Sequence, residues 1–237
     1  QYQYDVRNRL TNSAWRRGTV SLASFAYQLA PTGHRTALSE SIIYQQSSIN
    51  QSYGWTYDRL YRLKQEILSG LATGTNGYGY DLVGNRTNRT SDVLWPNVQS
   101  LSYSTNDWLT TDTYDSNGNT VASSGKTYQY DVLDRLTNVN SGAVVIGYDG
   151  DGNRIRKTAN GVTTYYLVDD RNPSGYAQVL EEYSGTSLSR VYQYGSSLIS
   201  QRETSGTVYY FVTDGQGSTR LLVNGSGGIA VGMATNI

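Results

Sequence analysis

The sequence predicts an all-β fold of stacked antiparallel β-hairpins that form a curved strip, a solenoid or a partial shell. Three observations support it: the 237 residues include 22 tyrosines and 25 glycines, tyrosines alternate with polar residues, and a Tyr-Asp motif recurs along the chain. Tyrosine suits a pleated, half-buried surface, and a period of two is typical of strands. Because a repeat decides the architecture of a chain, the motif carries the most weight.

The Tyr-Asp motif alternates between two forms. The first form reads Tyr-Asp-x-x-x-Arg-Leu, and the second reads Tyr-Asp-x-x-Gly-Asn, usually followed by Arg. Degenerate copies at residues 27–35, beginning with Tyr27, and at residues 103–109 complete a strict alternation over eight copies. We expect the following residues to build the repeats: Tyr4, Asp5, Tyr57, Asp58, Tyr80, Asp81, Gly84, Arg86, Tyr114, Asp115, Gly118, Tyr130, Asp131, Arg135, Tyr148, Asp149, Gly152 and Arg154.

Each copy is expected to form a strand, a tight turn and a returning strand. Tyrosine provides the face of the sheet, and Asp, Gly and Asn provide the turn. Asp and Asn tolerate a left-handed backbone, and Gly adopts positive φ freely. Asn160-Gly161 is a further strong hairpin signal. Since a single hairpin is marginal in water, neighbouring hairpins must stack to bury a shared face.

Residues 59–71 allow a second interpretation. Leu60, Leu63, Ile67 and Leu68 could line one face of a helix. The stretch coincides with a copy of the motif, however, and the equivalent residues of other copies resemble strands. We therefore favour a strand here.

The pattern changes after Tyr166, and the chain is divided close to that point. Residues 1–168 are predicted to form the hairpin array, and residues 169–237 a β segment that continues the same sheet. The tail at residues 225–237 is rich in Gly and small residues and is expected to be weakly ordered. A separate domain beginning near residue 168 is the alternative.

The bulk properties argue against several classes of protein. Lys+Arg and Asp+Glu both number 19, and such a balance argues against nucleic-acid binding, which needs clustered basic charge. The chain has no cysteine, so it has no disulfide framework. No apolar run is long enough to predict a membrane span, and no signal peptide is visible. Gln1 already lies in a strand-like stretch, so we interpret the chain as a piece of a longer protein.

The second form of the motif, at Tyr80 and at Tyr148, closely resembles the repeat of the RHS/YD-repeat family. Two later stretches, Tyr165-Tyr-Leu-Val-Asp-Asp and Tyr210-Phe-Val-Thr-Asp-Gly-Gln-Gly-Ser-Thr-Arg-Leu, resemble the lead-in to the carboxyl-terminal core region of that family. The resemblance covers nearly the whole chain. It implies long β-hairpin strips that spiral into a hollow shell and an extracellular or cell-surface location. In toxin systems the shell encloses a carboxyl-terminal effector, and in animal homologues it belongs to an adhesion ectodomain.

The chain also departs from the family pattern. Toxin-bearing members end their core with a self-cleaving motif similar to Asp-Pro-x-Gly-x-x-Asp, and residues 230–237 contain no such motif. The repeats number about ten, fewer than a closed shell needs. The chain is therefore expected to carry the scaffold without the cleavage site or the cargo.

Two motifs suggest chemistry, and each has a structural alternative. His34 could act as a general base, but it occupies the Asn place of the second form, which favours a role in the turn. Asp149-x-Asp151-x-Asn153 imitates the start of a calcium loop, but Gly is missing from its sixth position and Glu from its twelfth. A hydrogen-bonded Asx turn is the favoured interpretation.

Other candidate sites are weaker. Asp169-Asp170 and Glu181-Glu182 are adjacent carboxylates, which point to opposite faces of a strand and so do not form an acid/base pair by themselves. The stretch from Asp214 to Ser218 is rich in glycine but lacks the lysine and the helix of a phosphate loop. The exposed tyrosines and the four tryptophans, Trp15, Trp55, Trp95 and Trp108, could stack on sugar rings.

We expect arginines of the repeat to pair with aspartates of neighbouring hairpins and to set the register of the strip. The favoured function is a non-enzymatic structural protein without cofactor or metal. Its expected partners are further repeats of a longer parent chain or other copies of itself, because exposed strand edges template pairing and could produce an extracellular fibre. A carbohydrate-binding or adhesion module and a segment of a toxin shell are the alternatives. An enzyme using scattered carboxylates is the least favoured hypothesis.

Overall fold

The structure is a computed structural model that describes residues 1–44, 47–93 and 98–230. These residues form strands and one short 3₁₀ turn, with no α-helix among them, so the all-β prediction is confirmed. Residues 59–62 form a turn and β6 follows it, so the strand interpretation of residues 59–71 is also confirmed. The strands are β1 (Tyr2–Tyr4), β2 (Leu10–Arg17), β3 (Val20–Leu29), β4 (Arg35–Tyr44), β5 (Ser47–Tyr57), β6 (Leu63–Gly70), β7 (Gly74–Tyr80), β8 (Arg86–Ser91), β9 (Gln99–Ser100), β10 (Thr113–Tyr114), β11 (Thr120–Ser123), β12 (Lys126–Tyr130), β13 (Leu136–Val139), β14 (Val144–Tyr148), β15 (Arg154–Ala159), β16 (Val162–Asp169), β17 (Gln178–Ser184), β18 (Ser187–Tyr194), β19 (Leu198–Glu203), β20 (Val208–Thr213) and β21 (Thr219–Asn224).

The strands follow one another in space in the order of the sequence. One nine-stranded sheet contains β1 to β9, and one twelve-stranded sheet contains β10 to β21. Within each sheet, neighbouring strands pair antiparallel, as expected for successive hairpins. Each sheet is therefore a meander of successive hairpins, whereas β9 and β10 lie in different sheets.

The contacts divide the chain into two compact units. The first unit contains Gln1–Tyr103 together with the chain from Val212 onward, and the second unit contains Ser104–Phe211. At residue 168 the chain lies within β16, which pairs with β15 on one side and β17 on the other. These units are defined by packing and not by sequence pattern, so the division into residues 1–168 and 169–237 stays a prediction.

Only the first unit has a core of fully buried apolar side chains. Phe25 and Ala23 of β3 and Ile42 of β4 pack with Leu221 and Val223 of β21. Among the described residues of the second unit, no apolar side chain is buried to that degree. The second unit therefore depends on half-buried side chains and on hydrogen bonds to a greater extent than the first.

The tail predicted to be weakly ordered begins with described residues. Val223 pairs with Ile229, and the amide of Ala230 donates to the carbonyl of Leu222 at 3.0 Å. The rest of that tail, residues 231–237, lies outside the described residues. None of the helices among the described residues is long and apolar enough to cross a membrane.

Candidate functional site

Both forms of the motif fold into one and the same turn. The Asp5 amide donates to the Arg9 carbonyl at 2.9 Å, and the Asn8 amide donates back to the Asp5 carbonyl at 3.0 Å. Asp149 makes the same two bonds, with Asn153 and Gly152, at 3.0 and 3.3 Å. This is a tight turn followed by a bulge residue of positive φ, a common hairpin connection.

The bulge residue is where the two forms of the motif differ. Gly152 has a φ of 92°, and Gly84 has a φ of 106°, values that glycine adopts without strain. Asn8 and Asp134 occupy the same place in the first form with a φ of 58°, which Asn and Asp tolerate better than most residues. In the copy that begins at Tyr57 the same place is held by Tyr61 with a φ of 61°, so the position is defined by its positive φ and not by one type of residue.

The aspartate carboxylate holds the turn together. Oδ1 of Asp5 accepts hydrogen bonds from the amides of Arg7 and Arg9, and Oδ2 accepts from Nε of Arg9 at 2.7 Å. In the second form, Asn153 takes the place of that arginine and donates its side-chain amide to Oδ2 of Asp149 at 3.1 Å. Both carboxylate oxygens of Asp149 thus accept from the protein, and the geometry is that of an Asx turn.

These hydrogen bonds favour the ionised carboxylate. The side-chain hydrogen bond from Arg9 is the main reason why the pKa of Asp5 is lowered to about 2. Partial burial works to raise the pKa of Asp149, but the side-chain and backbone hydrogen bonds from Asn153 outweigh it, so the pKa is lowered. The motif aspartates are therefore structural anions, each held by donors of its own turn.

The expected pairing of arginine with aspartate of a neighbouring hairpin is wrong. The motif ion pairs lie within single turns: Arg9 with Asp5 at 2.6 Å, and Arg62 with Asp58 at 2.7 Å. The reason is geometric: the tight turn brings the arginine, four residues after the aspartate, into contact with the aspartate of the same turn. In the second form the arginine comes one place later, and Arg154 instead lies over the ring of Tyr166 at 5.3 Å.

Neighbouring copies are joined by a tyrosine ladder, which we define as the hydrogen bonds from a motif tyrosine hydroxyl to a backbone carbonyl of the preceding copy. The hydroxyl of Tyr80 donates to the carbonyl of Leu63 at 2.7 Å, and that of Tyr148 donates to Leu136 at 2.8 Å. The accepting carbonyl always belongs to the first residue of the strand that returns from the preceding turn. Other members are Tyr57 to Arg35, Tyr103 to Arg86 and Tyr130 to Thr120.

Arginine adds a second link between copies. Arg62 donates through Nη1 to the backbone carbonyl of Asp81 at 3.1 Å, and its guanidinium lies over the Tyr80 ring at 4.7 Å. Arg135 makes the equivalent stacking contact with Tyr148, also at 4.7 Å. Arginine therefore does reach the next hairpin, but it contacts the ring and the main chain there and not the carboxylate.

The degenerate copy predicted to begin at Tyr27 begins two residues later. The Ala30 amide donates to the His34 carbonyl at 2.8 Å, and the strand register shifts just before Leu29, as it does before the motif tyrosines. Leu29 and Ala30 thus stand in the Tyr-Asp places. His34 lies in the turn as expected, and its ring stacks on Tyr61 with centroids 4.3 Å apart.

The glycine-rich stretch at Asp214 is another copy of the turn. The Asp214 amide donates to the Ser218 carbonyl at 3.0 Å, and the Asp214 carboxylate accepts from the amides of Gln216 and Ser218. All the described hydrogen bonds of this carboxylate are thus made to its own turn. The turn resembles the other copies and not a phosphate loop.

This last turn and β21 dock on the sheet of the first unit. The segment from Thr213 to Asn224 is called the clasp below. The Trp15 indole donates to the carbonyl of Thr213 at 2.7 Å, and the amide of Gly215 donates to the hydroxyl of Tyr27 at 2.6 Å. Together with the apolar side chains of β21, these bonds attach the clasp to β2 and β3.

A buried ion pair completes the clasp. Glu40 of β4 is 4% exposed, and both of its oxygens accept from Arg220, at 3.2 Å from Nε and 2.5 Å from Nη2. Burial raises the pKa of Glu40, and the charge of Arg220 opposes that rise. Neither Glu40 nor Arg220 is among the residues predicted from the sequence to be functional. One feature of the sequence could have predicted the pair. Glu40 lies between Leu38 and Ile42 on the apolar face of β4, and a charge buried on such a face needs a partner of opposite charge.

The described tryptophans are engaged within the protein. Trp15 bonds the clasp, Trp55 donates to Oε1 of Glu66 at 3.0 Å, and Trp108 stacks on Tyr114 with centroids 4.7 Å apart. Trp95 lies outside the described residues. These contacts favour a packing role for the three tryptophans, and glycan binding stays a prediction.

The adjacent carboxylates have separate partners. Glu181 accepts from the hydroxyl of Tyr183 at 2.5 Å, whereas Glu182 accepts from Arg190 at 3.2 Å. Asp170 accepts from Asn153 at 3.0 Å and Asp169 from a nearby backbone amide. Within the described part of the chain, no group of three or more His, Cys, Asp or Glu is placed to hold a metal ion.

The comparisons with known proteins agree with this geometry. Solved structures of TcdB2-TccC3 superpose on 97% of the chain with TM-scores of 0.68 to 0.70, at 18–19% identity, which shows a shared fold. The chain covers 14% of those chains. A tRNA3(Ser)-specific nuclease WapA of Bacillus spizizenii is 31% identical over 121 residues, which are 48% of this chain and 5% of the nuclease. The family model described as the teneurin YD-shell matches residues 33–232, and the chain belongs to this family.

Proposed function

We propose that this chain is a non-enzymatic wall segment of a larger YD shell. The tyrosine ladder is the observation that carries the proposal, because every link of the ladder joins one copy of the motif to the copy before it. Each hairpin with this motif thus makes hydrogen bonds to its neighbours. Further copies in a longer row would make hydrogen bonds of the same kind.

The test is to lengthen the row. A second copy of residues 111–139, fused before Gln1, should add a hairpin that pairs with β1 and should raise the free energy of unfolding of the chain. The matched control carries the same insert with its motif tyrosines and aspartates replaced by alanine. If both inserts have the same effect on urea unfolding, the copies do not specify one another, and the wall proposal is wrong.

The shell of the parent protein is proposed to enclose a carboxyl-terminal cargo and to act outside the cell or at its surface. The support is similarity alone: TcdB2-TccC3 shares the fold, and one of its solved forms lacks a hypervariable carboxyl-terminal region. The nuclease activity in the name of the Bacillus protein is that protein's own, since this chain matches only 5% of it. Limited proteolysis of the parent protein tests the cargo, which should resist cleavage until the shell is unfolded.

A fibre is the second candidate, and β1 is the observation that favours it. β1 stands at the end of the strand order of its sheet, and its Tyr2 and Tyr4 side chains are 58% and 55% exposed. An exposed strand edge templates pairing with another chain. Negative-stain microscopy of the purified chain distinguishes the two functions, because filaments support the fibre and monodisperse particles contradict it.

A further inference from the structure

The chain contains four Asn-Gly dipeptides, and the structure holds them in four different environments. They begin at Asn76, Asn117, Asn160 and Asn224. An asparagine followed by glycine can react within itself, when the backbone nitrogen of the glycine attacks the side-chain carbonyl carbon of the asparagine. Glycine hinders this attack least, because it has no side chain. In a folded protein, both the carboxamide and the glycine nitrogen must also be free to approach each other.

Asn76 is protected by burial. It is 1% exposed and lies within β7, where it pairs with Glu66 of β6 on one side and with Ser91 of β8 on the other. Its Nδ2 donates to Oε2 of Glu66 at 3.0 Å. The sheet thus opposes the backbone rotation that starts the reaction, and burial excludes the water that completes it. We expect Asn76 to stay intact in the folded chain.

Asn117 is exposed, but both of its reacting groups are held by hydrogen bonds. Its carboxamide donates through Nδ2 to Oδ1 of Asp134 at 3.0 Å. The nitrogen of Gly118 donates to the backbone carbonyl of Asp115 at 3.2 Å. Both bonds must open before the glycine nitrogen can reach the carboxamide, so the motif turn slows the reaction.

Asn224 is held through its side-chain oxygen. Oδ1 of Asn224 accepts from the amide of Ser226 at 3.0 Å and from the amide of Gly228 at 2.8 Å. These two bonds fix the carboxamide in an Asx turn. Asn224 is therefore restrained as well, although it lies in a turn at the end of β21.

Asn160 is free in both respects. Asn160 and Gly161 form the exposed two-residue turn between β15 and β16, with φ of 52° and 76°. Neither the Asn160 carboxamide nor the Gly161 nitrogen makes a hydrogen bond with the rest of the described chain. A Cβ added to Gly161 would meet nothing within 4 Å, so the space around the turn is open. The backbone rotation that brings the two groups together is opposed only by the closing pair of the hairpin, Ala159 and Val162.

We propose that Asn160 is a self-modification site, which the chain converts to aspartate and isoaspartate without an enzyme. The Gly161 nitrogen loses its proton to hydroxide and bonds to Cγ of Asn160, and the bond from Cγ to the side-chain nitrogen breaks. That nitrogen takes a proton from water and leaves as ammonia. One water molecule then opens the resulting succinimide ring. Opening at Cγ gives aspartate, whereas opening at the main-chain carbonyl gives isoaspartate, in which the backbone runs through the former side chain.

The two products affect the hairpin differently. Aspartate keeps the turn, because Asp-Gly suits the same geometry as Asn-Gly, and it changes the net charge of the chain from zero to minus one. Isoaspartate adds a methylene group to the main chain of a two-residue turn, which disturbs the pairing of Ala159 with Val162. The next pair, Thr158 and Thr163, is joined by hydroxyls 2.9 Å apart and lies directly behind the turn. Modification at this turn therefore loosens the β15–β16 hairpin of the second unit as the protein ages.

The first experiment incubates the whole chain at neutral and at mildly alkaline pH and quantifies each Asn-Gly dipeptide by mass spectrometry of its peptides. We expect Asn160 to be modified about tenfold faster than Asn117, because two hydrogen bonds must open before Asn117 reacts. The rate should rise with pH, since the glycine nitrogen must lose a proton. In urea the four dipeptides should react at similar rates, and this comparison separates the effect of the fold from that of the sequence.

Three variants test the structural part of the proposal. Asn160→Gly removes the reactive carboxamide and keeps the turn, since Gly-Gly suits it. Its urea midpoint, followed by the fluorescence of Trp108 in the second unit, should stay constant during incubation, whereas that of the unmodified chain should fall. Freshly prepared Asn160→Asp should be as stable as the unmodified chain, which assigns the fall to isoaspartate. Asp134→Ala frees the carboxamide of Asn117 and should accelerate its modification several-fold.

Three results would overturn the proposal. The first is an Asn160 that stays intact in the folded chain while it reacts in urea. The second is the same order of rates in the folded chain and in urea, because the neighbours in sequence and not the fold would then select the site. The third is an equal fall of the urea midpoint in the Asn160→Gly variant, which would place the cause of the loosening elsewhere.

Discussion

Glu40 is the most deeply buried carboxylate among the described residues, and a single substitution removes its partner. Arg220→Met keeps most of the length of the side chain and deletes the guanidinium. Removal of one member of a buried ion pair typically costs about 3–5 kcal/mol, because the other charge stays buried without compensation. The Arg220 side chain is 30% exposed, so we expect the low end of that range.

A loss of about 3 kcal/mol corresponds to a decrease in melting temperature of roughly 6–12 °C for a chain of this size. The loss should depend on pH in a defined direction. Burial without the cation raises the pKa of Glu40 further in the folded variant, so the fold binds the proton more tightly than the unfolded chain does. The deficit should therefore shrink as the pH falls through that raised pKa.

A second substitution separates the lost charge from lost packing. Adding Glu40→Gln to Arg220→Met removes the buried charge and should restore most of the lost stability. Arg190→Met in the second unit is the comparison. Arg190 pairs with Glu182 and Glu203, whose side chains are 20% and 29% exposed, and its loss should cost only about 1 kcal/mol.

The assay is urea unfolding followed by tryptophan fluorescence, since Trp15 and Trp55 both report on the first unit. The reasoning is refuted if Arg220→Met costs less than Arg190→Met. It is also refuted if the cost is the same at acidic and neutral pH, or if the double variant is less stable than the single one.

The remaining predictions concern the repeats. Tyr148→Phe removes one bond of the tyrosine ladder and should cost about 0.5–1.5 kcal/mol in urea unfolding, whereas Tyr176→Phe, at a side chain that is 80% exposed, should cost nothing measurable. Gly84→Ala forces a side chain into a φ of 106° and should cost about 1–2 kcal/mol by the same measurement; an unchanged midpoint would contradict the turn assignment. The folded pKa of Asp5 is about 2, below the ordinary value of 3.8, so its ionised form stabilises the fold above about pH 4, and this contribution is lost as the pH falls toward 2. Asp5→Asn should weaken the dependence of the free energy of unfolding on pH between about pH 4 and pH 2. The same pH dependence in the variant and the unmodified chain would argue against the predicted effect.

The motif predicted the turn well because a turn is made by neighbours in sequence. Asp149, Gly152 and Asn153 lie within five residues, and their backbone preferences and hydrogen bonds suffice to define the geometry. The misplaced copy at Tyr27 shows the limit of that reasoning. There the alignment followed the aromatic residue, whereas the backbone bonds of Ala30 and the bulge before Leu29 define the true start.

The partners of the arginines could not be predicted from the motif. From the sequence, Arg62 was expected to pair with an aspartate of a neighbouring hairpin. The turn folds Arg62 back onto Asp58 at 2.7 Å. Nη1 of the guanidinium then reaches the next copy, where it donates to the backbone carbonyl of Asp81. That outcome depends on three-dimensional distances that the spacing does not contain.

By itself, the sequence determined the all-β class, the succession of hairpins and the chemistry of the repeated turn. These features arise from local preferences and from a repeat that brings adjacent copies together. Only the tertiary structure decided that the clasp returns over more than 170 residues to cover β3 and β4, and that Arg220 neutralises Glu40. The physical reason is that burial and charge pairing between distant segments depend on which faces pack together. A local sequence pattern predicts that a face is buried, but it does not predict which segment packs against that face.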